Sequence, residues 1–280
     1  MLKRIIEILN NLSLDVAAGA AASTWLAGYV LGYPVPAPYY LLLLLAVWWA
    51  YTTDHLADVC HSSRNLTARR RVFHQRHFKT LLFICAATGM AGLLLGILIG
   101  QPDELLTGIT IAVIIVIYFL LLKIRPSLFR KVIPKELVVV MIYLSGTWGI
   151  PLIHRNLQLS LNEWLLIASF GLVAFANAWL LSYVDKSEDK ADGHNSTATA
   201  IDSKRHRLFF FTMTGLAMLF STFIVLFSSD LNLNRGGKIV MLQALVLALI
   251  AGSSGQGRSL VVQRFKIEAV MWLPAILWVV

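Results

Sequence analysis

The chain has 280 residues, 58% of them hydrophobic and only 14% charged. That balance excludes a disordered segment and an ordinary water-soluble domain, and points to a protein built for a bilayer. A net charge of +9 would suit nucleic acid if it formed one patch, but the basic residues are scattered through short stretches between apolar runs, so no nucleic-acid partner is expected.

The opening Met-Leu-Lys-Arg-Ile-Ile-Glu starts like a signal peptide, with Ala20-Ala21-Ala22 as a possible cleavage site. Glu7, Asn10, Asn11 and Asp15 interrupt the apolar centre that a signal needs, so that reading is rejected. Nine apolar segments follow, at about 13–33, 37–53, 79–100, 104–122, 135–153, 162–184, 207–228, 237–253 and 265–280. Most reach the length of a spanning helix, and backbone groups in lipid must be satisfied within their own segment, so helices are expected and not strands. The expectation is one membrane domain, residues 1–280: an all-α integral, multi-pass protein with nine transmembrane helices around a central apolar cavity open to lipid. Pro34, Pro36 and Pro38 make a stiff turn between the first two helices. Gly28 and Gly32, and Gly92, Gly96 and Gly100, stand four apart and leave room for close helix approach.

Loop charge then sets orientation. Of the 24 Lys and Arg residues, all but Arg155, Arg235 and Lys238 fall on one side of a nine-helix chain. The excess marks that side as cytoplasmic, which puts the N-terminus inside and the C-terminus outside. The expected location is the inner membrane of a bacterium.

Two acidic pairs stand out. Asp54 and Asp58 close the second apolar run, in Tyr-Thr-Thr-Asp-His-Leu-Ala-Asp, and Asp185 and Asp189 close the sixth. Residues four apart share a helix face, with about 5–6 Å between Cβ atoms. Carboxylates so placed at a membrane surface suit a hard divalent cation such as Mg²⁺, which takes one or two carboxylates, water and phosphate oxygens. The two pairs sit about 130 residues apart, on two Asp-bearing cytoplasmic loops at about 54–78 and 185–206, and read as an internal repeat that brings both to one mouth of the bundle. The bland alternative stays open: solvated helix-end carboxylates paired with the Arg run, and an Arg69–Arg71 run that only touches anionic headgroups. His55, His61, His74 and His77 are too few and too irregular for a membrane di-iron site, and are read as interfacial loop histidines. Cys60 and Cys85 are read as reduced packing residues. No glycine-rich phosphate loop, zinc spacing or nucleophile elbow occurs. Asn177, a polar side chain deep in the sixth run, is expected to face the bundle interior.

Val184-Asp185-Lys186-Ser187-Glu188-Asp189-Lys190-Ala191-Asp192-Gly193, followed by Ser196-Thr197-Ala198, resembles the second Asp motif of the UbiA-type intramembrane prenyltransferases. The stretch Lys123 to Leu137 is similar, less specifically, to that family's segment between helices 4 and 5. The first motif departs from the family. Asp54 and Asp58 match its last two carboxylates, but its Asn-Asp positions fall on Ala50 and Tyr51. The resemblance implies nine helices around a cavity and Mg²⁺-dependent transfer of a prenyl group from a prenyl diphosphate to a hydrophobic acceptor, aromatic or lipid, within the membrane. It implies Asp54, Asp58, Asp185 and Asp189 as catalytic metal ligands. Arg64, Arg69, Arg70, Lys123, Arg125, Lys131, Lys186 and Lys190 would hold the diphosphate, with Asn177 and Tyr183 toward the substrate. Trp148, Trp179, Tyr51 and Tyr183 are the aromatic faces available to an allylic cation. The other class is a non-catalytic relative that binds or transports an isoprenoid or lipid, which the altered first motif favours.

Overall fold

A computed structural model describes residues 2–60, 66–124, 135–156, 158–193, 197–253 and 259–278. Among these there is helix and no strand. The helices are α1 (Leu2–Asn11), α2 (Leu14–Val30), α3 (Ala37–Cys60), α4 (Arg69–Arg76), α5 (Phe78–Ile99), α6 (Pro102–Ile124) and α7 (Lys135–His154). They continue with α8 (Leu161–Ala191), the single turn α9 (Thr197–Ala200), α10 (Ser203–Phe227), α11 (Leu231–Gly252) and α12 (Leu260–Ala269), and end in a 3₁₀ stretch, Val270–Trp278.

Each of the nine apolar segments is helical. Among the described residues five helices (α5, α7, α8, α10 and α11) are long and apolar enough to cross a membrane, or six if α1 and α2, bent by 73° at a short break, count as one span. The break falls at Ser13, held in the left-handed region at φ 53. Such several apolar helices are compatible with a multi-pass membrane protein.

The sequence reading passed over α1, which is short and amphipathic, and α4, which is short and polar. The acidic pairs sit at helix ends, as the four-residue spacing expects: Asp54 and Asp58 in the last two turns of α3, Asp185 and Asp189 in the last two turns of α8, so the loops assigned at 54–78 and 185–206 begin inside helix. Both helices outrun their apolar segments because nothing in Thr-Thr-Asp-His-Leu-Ala or Asp-Lys-Ser-Glu-Asp-Lys-Ala breaks a helix, and no Gly or Pro intervenes.

Helix α8 is the axis. Its start is fixed by a capping box: Ser160 Oγ accepts from Glu163 N, and Glu163 accepts from Ser160 N at 2.6 Å. Leu166, Phe170, Val173 and Ala176 are fully buried, against α10, α11 and α7. Ser169 donates to Ala217 O at 2.8 Å and meets Ser221 Oγ at 2.7 Å, so these buried hydroxyls satisfy one another between α8 and α10. By contrast Phe83, Leu93 and Leu98 on α5, and Leu106 and Ile109 on α6, are exposed in a row that only lipid or a partner would cover. Helix α5 packs on α3, where Gly89 meets the indole of Trp49 and Gly96 meets Leu42.

The central cavity is small. A partly open pocket of about 50 Å³ is lined by Val16, Tyr51, Val140, Tyr143, Asn177 and Glu268, among others. A pocket for a drug-sized apolar ligand is several hundred Å³. The expected apolar cavity is therefore largely filled by side chains, and a prenyl tail would enter only with outward movement of helices or along their lipid face.

Candidate functional site

The polar ends of α3 and α8 meet at the short basic helix α4, and a cleft opens there. It is lined by Asn10, Arg69, Arg70, Arg71, Asp185, Glu188, Asp189 and Arg264, with a few neighbours. Two arginines hold the acidic groups. Arg264, on α12, pairs with Asp185 through its Nη1. Arg71 Nη2 lies 2.5 Å from Asp189 Oδ1, and Nη1 lies 2.8 Å from Asp192 Oδ2. Asp192 also accepts from Thr67 N at 2.7 Å, Thr67 Oγ1 at 2.6 Å and Ala68 N at 3.3 Å. It thereby caps the start of α4 from the far end of α8, satisfying amide donors that α4 cannot use itself.

Electrostatics follow the contacts. Burial works against the Asp192 carboxylate, but the Thr67, Arg71 and Ala68 hydrogen bonds outweigh it and hold its pKa at about 2. Burial likewise opposes charge on Arg71, and its Asp192 and Asp189 partners more than offset that, so its pKa lies above the usual value.

Arg70 differs from its neighbours. Among the described residues its guanidinium has no hydrogen bond and no ion pair, though it lines the cleft. Burial first, and then Arg264, pull its pKa down to about 10, while Asp185 and Asp54 pull the other way. It stays charged near neutral pH. Arg70 thus lines the cleft with Asp185 and Asp189 and lies within electrostatic reach of both Asp185 and Asp54. Arg71 feels Asp189 and Asp58 in the same manner.

The first pair has company that the sequence reading did not give it. Ligand atoms of Asp54, His55 and Asp58 all lie within 4.8 Å of one another. His55 is not a loop histidine: it is buried in α3 at 6% exposure. Asp54 also receives Lys135 Nζ at 3.5 Å. The donor set fits a divalent cation at this first pair. At the second pair the carboxylates are already paired with arginine.

The remaining expected site residues divide. Arg69 pairs with Glu7 at 3.0 Å and is exposed, at the rim of the cleft. Lys186 donates to Ile201 O at 3.0 Å and lies over the Tyr183 ring. Tyr183 is 38% exposed and packs by His206, away from the cleft residues. Lys190 is exposed. Asn177 Nδ2 donates to Ile267 O at 2.7 Å, so its first role is to tie α8 to α12 while lining the central cavity. Lys123 closes α6, with its side chain outside the described set, and Arg64, Arg125 and Lys131 lie outside the described residues. Arg71, inside the Arg69–Arg71 run, and Asp192, inside the second motif, were named but given no role as ion-pair partners; His55 was read as a loop histidine, and Arg264 was counted only for membrane orientation.

No family model matches the chain, and no curated protein or solved structure matches it either.

Proposed function

We propose that the chain is a divalent-cation-dependent intramembrane prenyltransferase, nine helices across the membrane, N-terminus cytoplasmic and C-terminus outside. One observation carries the reading: among the described residues Arg70, a half-buried guanidinium, has no hydrogen-bond or ion-pair partner and lines the cleft beside Asp185 and Asp189. An unpaired guanidinium in a cleft suits an anion. Flanking carboxylates would repel a bare anion, but they suit an anion that arrives with metal, and a diphosphate does so.

Each residue then has a task. Arg70 holds the diphosphate oxygens. Asp54 and Asp58, with Asp185 and Asp189, hold Mg²⁺ as the resemblance implies. A divalent cation at these carboxylates supplies charge to the departing diphosphate. Arg264 and Arg71 neutralise Asp185 and Asp189 at rest. When these carboxylates turn to another partner, both guanidiniums are free to face the phosphate oxygens, which stabilises the leaving group. The apolar helix faces take the tail, and Tyr51 offers an aromatic face at the cleft end of the central cavity. The acceptor is a hydrophobic molecule, aromatic or lipid, reached through the bilayer.

A second reading keeps the anion site without chemistry: an isoprenoid- or lipid-binding or transport protein. The ion pairs on Asp185 and Asp189, and the small cavity, favour it. Binding of geranyl diphosphate to purified protein, with and without Mg²⁺, tests both. The transferase reading expects binding that needs the metal, is lost in Arg70→Ala, and ends in release of diphosphate when an acceptor is supplied. Metal-independent binding with no turnover favours the second reading, and no binding at all rules out both.

A further inference from the structure

The sequence pattern assigns Mg²⁺ to the first acidic pair. The side chains there argue for a different ion. The Asp54 carboxylate, one His55 ring nitrogen and the Asp58 carboxylate lie within 4.8 Å of one another. Two donors bound to one ion at about 2.1 Å can be no more than about 4.2 Å apart. The cluster therefore needs only small side-chain rotations to close on a single ion. Asp54 keeps one oxygen turned toward Lys135 at 3.5 Å.

His55 is held as a ligand is held. Its Nε2 lies 3.4 Å from Ser13 Oγ, and its ring meets His74 edge-on at 4.8 Å between centroids. His74 is itself fixed, with Nδ1 2.9 Å from Arg70 O. The ring is over nine-tenths buried, and the hydrogen bond it makes among the described residues is the one to Ser13 Oγ. An imidazole with one nitrogen oriented by a hydroxyl is the arrangement that metal-binding histidines show. The same positions explain the altered motif: where Ala50 and Tyr51 supply no donor, His55 supplies one from within the pair.

Imidazole changes the preference of the site. Mg²⁺ takes oxygen donors and dehydrates reluctantly, whereas Mn²⁺, Fe²⁺, Co²⁺ and Zn²⁺ accept nitrogen readily. We infer that Asp54, His55 and Asp58 form a mixed carboxylate–imidazole centre that takes a first-row transition cation such as Mn²⁺ in preference to Mg²⁺. This rests on the metal part of the proposed function and not on the chemistry of transfer.

The experiment is Mn²⁺ titration of the purified chain followed by pulsed electron paramagnetic resonance, with geranyl diphosphate affinity measured on the same samples. The expected result is one tightly bound Mn²⁺ per chain with nitrogen hyperfine coupling, displaced by Zn²⁺ and poorly by Mg²⁺. In His55→Gln the coupling disappears and Mn²⁺ affinity falls at least about tenfold, while Mg²⁺ affinity is unchanged. The wild-type spectrum decides the matter even if that variant folds badly, because ¹⁵N-histidine labelling must alter the coupling. Bound Mn²⁺ with oxygen couplings only overturns the inference, as does coupling that survives His55→Gln, or Mg²⁺ binding as tightly as Mn²⁺. Nitrogen-coupled Mn²⁺ with no affinity for the diphosphate upholds this inference and overturns the prenyltransferase reading instead.

Discussion

Replacing Asp192 by Ala tests how the cleft is assembled. Its side chain is 1% exposed and accepts four hydrogen bonds, three from Thr67 and Ala68 and one from Arg71. A hydrogen bond to a charged group contributes about 1.5–3 kcal/mol, but four on one carboxylate are not additive, and Arg71 keeps Asp189. We expect a loss of about 3 kcal/mol, concentrated where α4 meets α8. For a chain of this size that lowers Tm by about 6–12 °C, read by tryptophan fluorescence in detergent micelles. Limited trypsin digestion should cut at Arg69–Arg76 early in the variant and late in the parent. Acid should mimic the substitution. Because the folded pKa, about 2, lies below the ordinary 3.8, the carboxylate contributes stability that is full above about pH 4 and is lost as pH falls toward about 2. At a rim screened by water and salt, that contribution is about 1–2 kcal/mol. A Tm within about 1 °C of the parent, with unchanged trypsin resistance at α4, would refute the capping role.

Three further outcomes follow from the contacts. Asp185→Asn leaves Arg264 buried with a neutral partner and should cost about 3 kcal/mol in detergent melts, while Asp185→Asn with Arg264→Met should recover much of it; a double variant no better than the single one contradicts the pairing. Gly236→Ala puts a methyl 2.7 Å from Val30 Cγ2 and 3.1 Å from Leu166 Cδ2, so overpacking should cost about 1–3 kcal/mol, and an unchanged melt counts against tight α2–α11 packing. Reporter fusions after Asn156 and after Asn195 should report opposite sides of the membrane; the same side for both removes the nine-helix topology.

The apolar helices were legible because lipid imposes a length and a composition that survive in any fold. What the sequence did not show is helix that is short, polar or interrupted. Arg69–Arg76 reads as a basic loop, since a helix with no apolar face gives no period. In the bundle Asp192 holds Thr67 and Ala68, which lead into it, and Phe73 packs on Leu56, Leu81 and Cys85. The 3₁₀ stretch Val270–Trp278 was equally hidden, with Pro274 inside it and an apolar composition that suits any helix. The small central cavity was misjudged for a related reason. Apolar patterning states which faces avoid water and says nothing about whether the volume between them is filled.

For the site, local spacing revealed carboxylates and concealed their partners. Asp185 and Asp189 stand out because four residues separate them, a distance that a reader of sequence can interpret. Arg264 lies 79 residues from Asp185, and Arg71 lies 118 from Asp189. No local rule connects them. Their meeting depends on α12 and α4 arriving at the end of α8, which is a property of the whole bundle. The consequence is functional as well as structural. A carboxylate pair read alone looks like a vacant metal site, whereas with its arginines it is already neutralised. Metal at the second pair must therefore compete with two guanidiniums and succeeds only if they gain something else to bind. On the proposed reading, an anion that brings its own cation would satisfy both sides at once, beside Arg70 in the cleft that Asp185 and Asp189 line.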